Sequence, residues 1–505
     1  MIEASDAWKD IQQRFLLPET FVEIDCAVTE VGLQEQTSAS GTNQAIFSDV
    51  EAIRGLSDTS TRAKYATLEQ NLWALDGTHT ILPDSGPHPN AGYVSDIAES
   101  GSVSLSLPEV HMTPIPGVTI NWSTEYGEYP HVFTVSAYNG SSLVAETTVT
   151  DNASEKSVVD LVISEYDSVT VTVHNWCLPG HRARIDKMFL GHVLTFTKNE
   201  IISYTHEQYG DLLSGELPKY SIEFSIDNTD NRWNPNNPSG MEQFLSERQK
   251  LTVRYGMDID GTTEWIRGGT FYLSEWSAPS NGLEAKFVAR DVFEFLLNVE
   301  MGSYVFGSLE HLASWATDTL LPNGAIFSID PSLDNYSAEY PGDSTAAEIV
   351  QKAANAACCI LRYGRDGALH VEPFDKSMTD FRIPMSLSFT HPEVTLSKPL
   401  KTVSVDYGGD TPYELSVFAN GENQTVTNDF ITEEAQAVLV AEWVRDVLQS
   451  RKTISGEFRA DPRLDIYDVV TVESKFGDFS PVVLTEITYT FSGSFRATYT
   501  GRVIS

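Results

Sequence analysis

Between residues 100 and 195, apolar and polar side chains alternate with period two in a series of short runs: VSLSLPEV, GVTINWS, HVFTVSAYNGSSLVAETTV, KSVVDLVIS and SVTVTVHNW. Successive side chains of a strand point to opposite faces, so this alternation predicts half-buried strands. Turn residues between the runs predict a β-sandwich of jelly-roll type, with Asn139-Gly140 near the tip of one hairpin. Strand texture continues over 196–300 in YSIEFSID, KLTVRYGMD, EWIRGGTFYLSEWS and LEAKFVARD. TFVEIDCAVTEV at 20–31 reads as a further strand, and 33–62, rich in Ser, Thr, Asn and Gly, as a connection.

Helical spacing occurs in four places. Residues 4–16 carry Trp8, Ile11, Phe15 and Leu16 on one face, and Pro18 ends the pattern. Residues 308–320 and 344–358 are helical, the second opened by a Thr345/Glu348 capping box, with Ile349, Val350, Ala353, Ala357 and Ile360 along one face. A last helix is predicted at about 432–451, with Ala435, Val438, Leu439, Val447 and Leu448 as its buried stripe. CCILRYGRDGALHVEP follows the third helix as a hairpin turning at Asp366-Gly367. There is no βαβ alternation and no tandem repeat. The predicted fold class is therefore mainly β with small α/β parts.

At 505 residues the chain is too long for one hydrophobic core. Its 33 basic and 71 acidic residues give a net charge of −38. Such a chain repels nucleic acid and anionic membrane at long range, which argues against a nucleic-acid reader; the same excess also serves plain solubility. The N-terminus, MIEASDAWKDIQQRFLLPE, is charged throughout, and no apolar run reaches the roughly 18 residues of a membrane span. Cys26, Cys177, Cys358 and Cys359 are not spaced as a disulfide framework, so free thiols in a reducing cytosol are expected.

The stretch FSIDNTDNRWNPNNPSG, from Phe224 to Gly240, crowds Asp and Asn around Trp233, Pro235 and Pro238. An EF-hand starting at Asp227 would need Gly at position 6 and Glu at position 12. Arg232 and Pro238 stand there instead, so calcium is not expected. Asp and Asn folding back on their own backbone in Asx-turns, with Trp233 as a wedge, is the better account. His174, Cys177, His181 and His192 are ligand types for zinc, but their spacing matches no common zinc pattern, and no metal is expected there. The nucleophile, zinc-protease and phosphate-loop motifs are absent. Catalytic residues and cofactors are therefore expected to be none. A carboxylate pair for glycoside hydrolysis is visible only in space and stays open.

Three stretches in order carry a resemblance. ISYTHEQYGDLLSGELPKYSIEFSIDNTDNRWNPNNPSGMEQFLSERQKLTVRYG resembles the first β-domain of bacteriophage tail hub (baseplate hub or tail-tip) proteins. DSTAAEIVQKAANAACCILRYGRDGALHVEP resembles their inserted helix-and-hairpin domain. NDFITEEAQAVLVAEWVRDVLQSRKTISGEFRADPRLDIYDVVTVES resembles their closing domain. The match covers roughly 196–505, with 1–31 as the first strand of the same domain. YATLEQNLWALDG and VTVHNWCLPGHRARIDKMFLG resemble galactose-binding-like sandwiches.

The resemblance implies five parts: 1–64, the N-terminal helix, first hub strand and connection; 65–195, the inserted sandwich; 196–300, hub β-domain 1; 301–397, the helix-and-hairpin domain; and 398–505, hub β-domain 2. It implies a structural hub at the distal end of a tail tube, assembled in the host cytoplasm and carried in the virion. The implied partners are two further copies in a homotrimer, a distal tail or tail tube protein, other tip or baseplate proteins and a tape measure protein, with DNA passing through without specific binding. Asp227, Asn228, Asp230, Trp233, Asn234 and Pro235 become its structural loop. Hubs that digest the cell wall usually carry a long C-terminal extension, and none is expected past Ser505. The alternative is a receptor-binding protein for a host-surface glycan, or a tail-associated glycan hydrolase. Its candidate carbohydrate contacts are Trp122, Tyr126 and Tyr129; a spacer or docking role for the sandwich is the competing reading.

Overall fold

The computed structural model describes residues 1–14, 18–56, 65–67, 69, 72, 80–81, 91–278, 282–297, 299–301, 304–306, 326–330, 338–340 and 344–504. The expected helix at 308–320 lies outside them. The chain is mainly β. It divides into two compact units, one of residues 1–24, 196–231 and 251–505, the other of residues 25–195 and 232–250.

The chain opens with helix α1 (Asp6–Gln12), where the Ser5 side chain accepts from the Trp8 N–H and Trp8 and Ile11 are buried. Strand β1 (Thr20–Thr29) follows, with every second residue buried.

The sandwich unit holds β2 (Ser38–Thr42), β3 (Tyr93–Ala98), β4 (Gly101–His111), β5 (Ile115–Asn121), β6 (Pro130–Asn139), β7 (Ser142–Val149), β8 (Lys156–Ile163), β9 (Tyr166–Trp176), β10 (Arg182–Ile185) and β11 (Lys187–Phe196). One sheet runs β2-β4-β9-β6-β7, and facing strands run β8-β5-β11, with β10 on β3. Val103, Leu105, Phe133, Val135, Val169 and Val171 meet Val118, Ile120, Val159, Met188 and Leu190 in one buried core. All but Met188 and Leu190 are the inward residues of the period-two runs. The β6–β7 hairpin turns at Gly140, in the left-handed region at φ +59.

The stretch read as a connection behaves differently. Ser38–Thr42 pairs with β4 in register Ser38↔Ser106 to Thr42↔Ser102. Its small polar residues show the outward-facing chemistry of an edge strand, which composition alone reads as loop. Residues 232–250, expected with the first β-domain, group with the sandwich residues.

The larger unit continues with β12 (Ile201–Tyr209), β13 (Lys219–Asp227), β14 (Lys250–Ile259), β15 (Thr262–Ser277), β16 (Glu284–Arg290), helix α2 (Ala346–Ala356), β17 (Ile360–Tyr363), β18 (Ala368–Glu372), β19 (Met378–Ile383), β20 (Glu393–Leu396), β21 (Leu400–Asp406), β22 (Tyr413–Ser416), β23 (Glu422–Thr427), helix α3 (Glu434–Leu448), β24 (Lys452–Phe458), β25 (Val469–Glu473), β26 (Phe479–Phe491) and β27 (Phe495–Val503). Its main sheet runs β1-β14-β15-β16-β13-β12-β26-β27-β24-β20, and β25 joins β26 to β19. The Thr345/Glu348 capping box forms at the start of α2. Ile349, Ala353 and Ala356 of α2 share one core with Val403 and Val405 of β21 and with α3.

On α3 the buried residues are Ala437, Val440, Ala441 and Val444, at i, i+3, i+4 and i+7. The expected stripe is corrected: Ala435 is exposed, Val438, Val447 and Leu448 are half-buried, and Leu439 is 62% exposed. The segment offers two apolar stripes at helical spacing. The small alanines win because α3 packs closely on β21 and β22, where Val403 and Val405 need near neighbours.

Candidate functional site

The Asn/Pro loop is built from Asx-turns. Asp227 Oδ1 accepts from the Thr229 N–H at 3.0 Å, Asn234 Oδ1 from the Asn236 N–H at 3.0 Å, and Asn237 Oδ1 from the Ser239 N–H at 3.0 Å. Side-chain oxygens that satisfy the loop's own backbone are directed away from a shared cation. Asn231 takes the left-handed conformation at φ +56, which Asn tolerates better than most residues. Asn228 and Asn234 are buried, while Asp230 and Pro235 are exposed. Trp233 is 4% exposed, and the Met241 N–H donates to the Arg232 carbonyl at 2.8 Å, closing the loop behind it.

In the larger unit, strands from residues 196–231 and from 398–505 share one sheet. β12 pairs antiparallel with β26 from Tyr204↔Phe491 to Tyr209↔Glu486. A buried polar network crosses this seam. The Gln208 amide N–H donates to His206 Nε2 at 3.3 Å, so His206 Nδ1–H faces the Tyr255 hydroxyl at 2.7 Å, and Tyr255 meets the Tyr204 hydroxyl at 2.8 Å. Burial, and then the charge of Arg365, holds His206 well below its ordinary pKa, in keeping with a neutral ring. Gln208 Oε1 in turn accepts from the Ile466 N–H at 3.2 Å.

That contact lands in DPRLDIYDVV, which the structure explains residue by residue. Asp461 forms a buried two-oxygen pair with Arg463. Arg365, from the turn between β17 and β18, donates to the Pro462 and Leu464 carbonyls at 2.5 Å each, and its Nε lies 3.5 Å from Asp465 Oδ2. Burial pushes the Asp465 carboxyl up, against the pull of Arg365. Tyr467, at φ +67, donates to the Leu361 carbonyl at 3.2 Å. One buried guanidinium thus ties the β17–β18 hairpin to the segment from Pro462 to Asp465. No sequence motif pairs Arg365 with a segment about a hundred residues later.

The three candidate carbohydrate contacts do not form a platform. Trp122 is 0% exposed, its N–H donates to Ser157 Oγ at 2.8 Å, and its ring packs on Phe133 at 4.9 Å; no face is left for a sugar. The alternation of GVTINWS that makes a strand also turns Trp122 inward. Tyr126 is half-buried with the Arg184 guanidinium 5.1 Å over its ring. Tyr129 is half-buried against the sandwich core.

The histidines and cysteine near 174–192 have separate partners. His174 Nε2 meets Thr134 Oγ1 at 2.8 Å, and His181 Nδ1 meets the buried Glu128 Oε1 at 2.8 Å. Glu128 Oε2 also accepts from the Trp176 N–H at 2.7 Å. Cys177 Sγ accepts from the Tyr129 N–H at 3.5 Å, and burial raises its thiol pKa. Among the described residues no group of three or more His, Cys, Asp or Glu side chains is placed to hold a metal.

The sandwich unit contains a cleft of about 790 Å³ between the strand ends of β5 and β8 and the second half of the Asn/Pro loop. Thr113, Pro114, Pro116, Asp160, Leu161, Val162 and His192 line one side, and Arg232, Pro238, Ser239, Met241, Gln243 and Phe244 the other. At Gly117, beside the lining Pro116, a Cβ would lie 1.9 Å from the Val159 carbonyl and 2.7 Å from His192 Nε2. Among the described residues no helix is long and apolar enough to cross a membrane.

No protein-family model and no curated protein matches the chain. Among solved structures it is similar to the 43 kDa tail protein of prophage MuSo2 from Shewanella oneidensis, at 13% identity over 62% of this chain and 94% of that one, with a TM-score of 0.43. It is similar to a tail protein from Neisseria meningitidis MC58, at 13% identity over 62% and 93%, with a TM-score of 0.43. A third likeness is to an E. coli component of the type VI secretion system that is itself described as similar to the T4 tail proteins gp27 and gp5. There the identity is 10% over 61% and 74%, with a TM-score of 0.35. Likenesses this weak do not establish a common fold.

Proposed function

We propose that the protein is a structural hub of a phage tail, a homotrimer at the distal end of the tail tube that joins the tube to tip or baseplate proteins and forms part of the DNA channel. The observation that supports this most is the β12–β26 pairing, which joins in one sheet a strand from each of the two proposed β-domains, 196–300 and 398–505. Two similar β-domains per chain, repeated by three-fold symmetry, give six around a ring and so match a six-fold tube. The ordered sequence resemblance over 196–505 supports the same reading.

Cryo-electron microscopy of the native particle tests it. Three copies at the distal end of the tail tube are expected. Six chains in one ring, or density at a peripheral fibre, would overturn it.

A further inference from the structure

Two Asn-Gly pairs, Asn139-Gly140 and Asn420-Gly421, lie wholly in the described residues, and the structure treats them differently. Glycine has no side chain to keep its backbone nitrogen away from the amide carbon of the preceding asparagine. Asn139-Gly140 is held back from that approach. Asn139 Nδ2 donates to the Glu165 carbonyl at 2.9 Å, and the Gly140 N–H donates to Asp167 Oδ2 at 2.7 Å. Asn139 also pairs with Ser142 across the hairpin. A carboxylate beside the N–H opposes loss of its proton, and the bound side chain is not free to turn its carbon inward. Asn420 and Gly421 are both exposed in the connection between β22 and β23. Among the described residues neither the Asn420 side chain nor the Gly421 N–H has a hydrogen-bond partner.

We propose that Asn420 is a site of spontaneous covalent modification, deamidation through a succinimide closed by Gly421. The Gly421 nitrogen gives its proton to hydroxide and bonds to Asn420 Cγ. The Cγ–Nδ2 bond breaks, and ammonia leaves with a proton from water. Water then opens the ring at either carbonyl, giving aspartate or isoaspartate; nothing is oxidised or reduced. The change reaches the fold because Gly421 is packed closely. A Cβ there would lie 2.0 Å from the Pro399 carbonyl oxygen. The next residue, Glu422, donates its N–H to that same carbonyl at 2.9 Å, where β23 begins to pair with β21. An isoaspartyl link inserts one more backbone carbon just before this contact. The start of β23 should therefore come loose from β21, whose Val403 and Val405 lie in the core with α2 and α3. This site does not depend on the tail reading.

The test is to age the full chain in mildly alkaline buffer and follow both asparagines by peptide mass spectrometry, with isoaspartyl methyltransferase labelling to identify the linkage. Asn420 is expected to convert roughly tenfold faster than Asn139, as for one charge-assisted hydrogen bond that has to be broken first at Gly140. Asp167→Ala frees the Gly140 N–H and should raise conversion at Asn139. Asn420→Gln, which would have to close a larger ring, should remove the modification at 420. In aged parent protein, hydrogen exchange should quicken over Glu422–Thr427, and in aged Asn420→Gln it should not. Conversion at Asn139 as fast as at Asn420, or no isoaspartate at 420, would overturn the proposal. Asn139 conversion unaffected by Asp167→Ala would overturn the protection assigned to that contact, and unchanged exchange in β23 would overturn the structural consequence.

Discussion

Replacing Trp233 by alanine removes a side chain that is 4% exposed from a loop shaped by Asx-turns. The turns fix local shape but bury little apolar surface, so the wedge should dominate. Trp233→Ala is expected to lower stability by roughly 3–5 kcal/mol, read from chemical denaturation. An unchanged midpoint with altered particle adsorption would make the residue functional instead. Asp291 gives a second residue-scale test. Its oxygens accept from the Tyr220 and Phe293 N–H groups at 2.8 Å each, which favours the carboxylate, yet burial outweighs them and raises its pKa to about 7. The folded state therefore holds a proton more tightly than the unfolded state. This contribution is full below the ordinary carboxylate pKa and is lost as pH rises to about 7. Asp291→Asn cannot ionise, so its stability relative to the parent should improve between pH 4 and pH 7; a flat difference across that window would refute the shift. The Asx-turns were legible because Asp and Asn act on their own backbone. Asp291 was not, because its burial depends on chain far away in sequence.

At the scale of elements, the hairpin of β17 and β18 and the DPRLDIYDVV segment depend on each other through Arg365. Its side chain is 3% exposed, and it satisfies two carbonyls and faces Asp465. Arg365→Met keeps much of the volume but leaves those carbonyls and a buried carboxylate without their cation. A loss of about 3–5 kcal/mol is expected by thermal or chemical denaturation, the range for breaking one side of a buried pair. Arg365→Met with Asp465→Asn should lose less than the two single variants together, and a double loss equal to the sum of the Arg365→Met and Asp465→Asn losses would show that the pair is uncoupled. The capping box of α2 and the period-two strands were readable because they are local devices. Helix α3 shows the limit. Both its stripes repeat at helical spacing, and only the identity of β21 as neighbour selects Ala437, Val440, Ala441 and Val444. Ser38–Thr42 shows the same limit for strands, since its pairing with β4 is a long-range fact.

For the whole molecule, the five-part division came from ordered motifs, while the compact units are discontinuous in sequence, with 232–250 grouped beside 25–195. A loop of polar residues carries no periodic signal of what it packs on. What composition does carry to this scale is charge. If three copies form the ring proposed above, its inner wall should be acidic or neutral and free of Lys/Arg rows. DNA presents about one negative charge per 1.7 Å of axis, so a basic wall would hold it and slow its passage. With 71 acidic against 33 basic residues, an acidic wall is the expected outcome for a surface drawn from this chain at large. The residues of that wall are identified by mapping it in the assembled particle. Several lining carboxylates should then be replaced by lysine and DNA ejection timed at low salt, where screening is weakest. Slower ejection is expected, with the deficit shrinking as salt is added. Ejection rates that match the parent at low salt would remove electrostatic lubrication as a reason for the acidic composition and leave solubility to account for it.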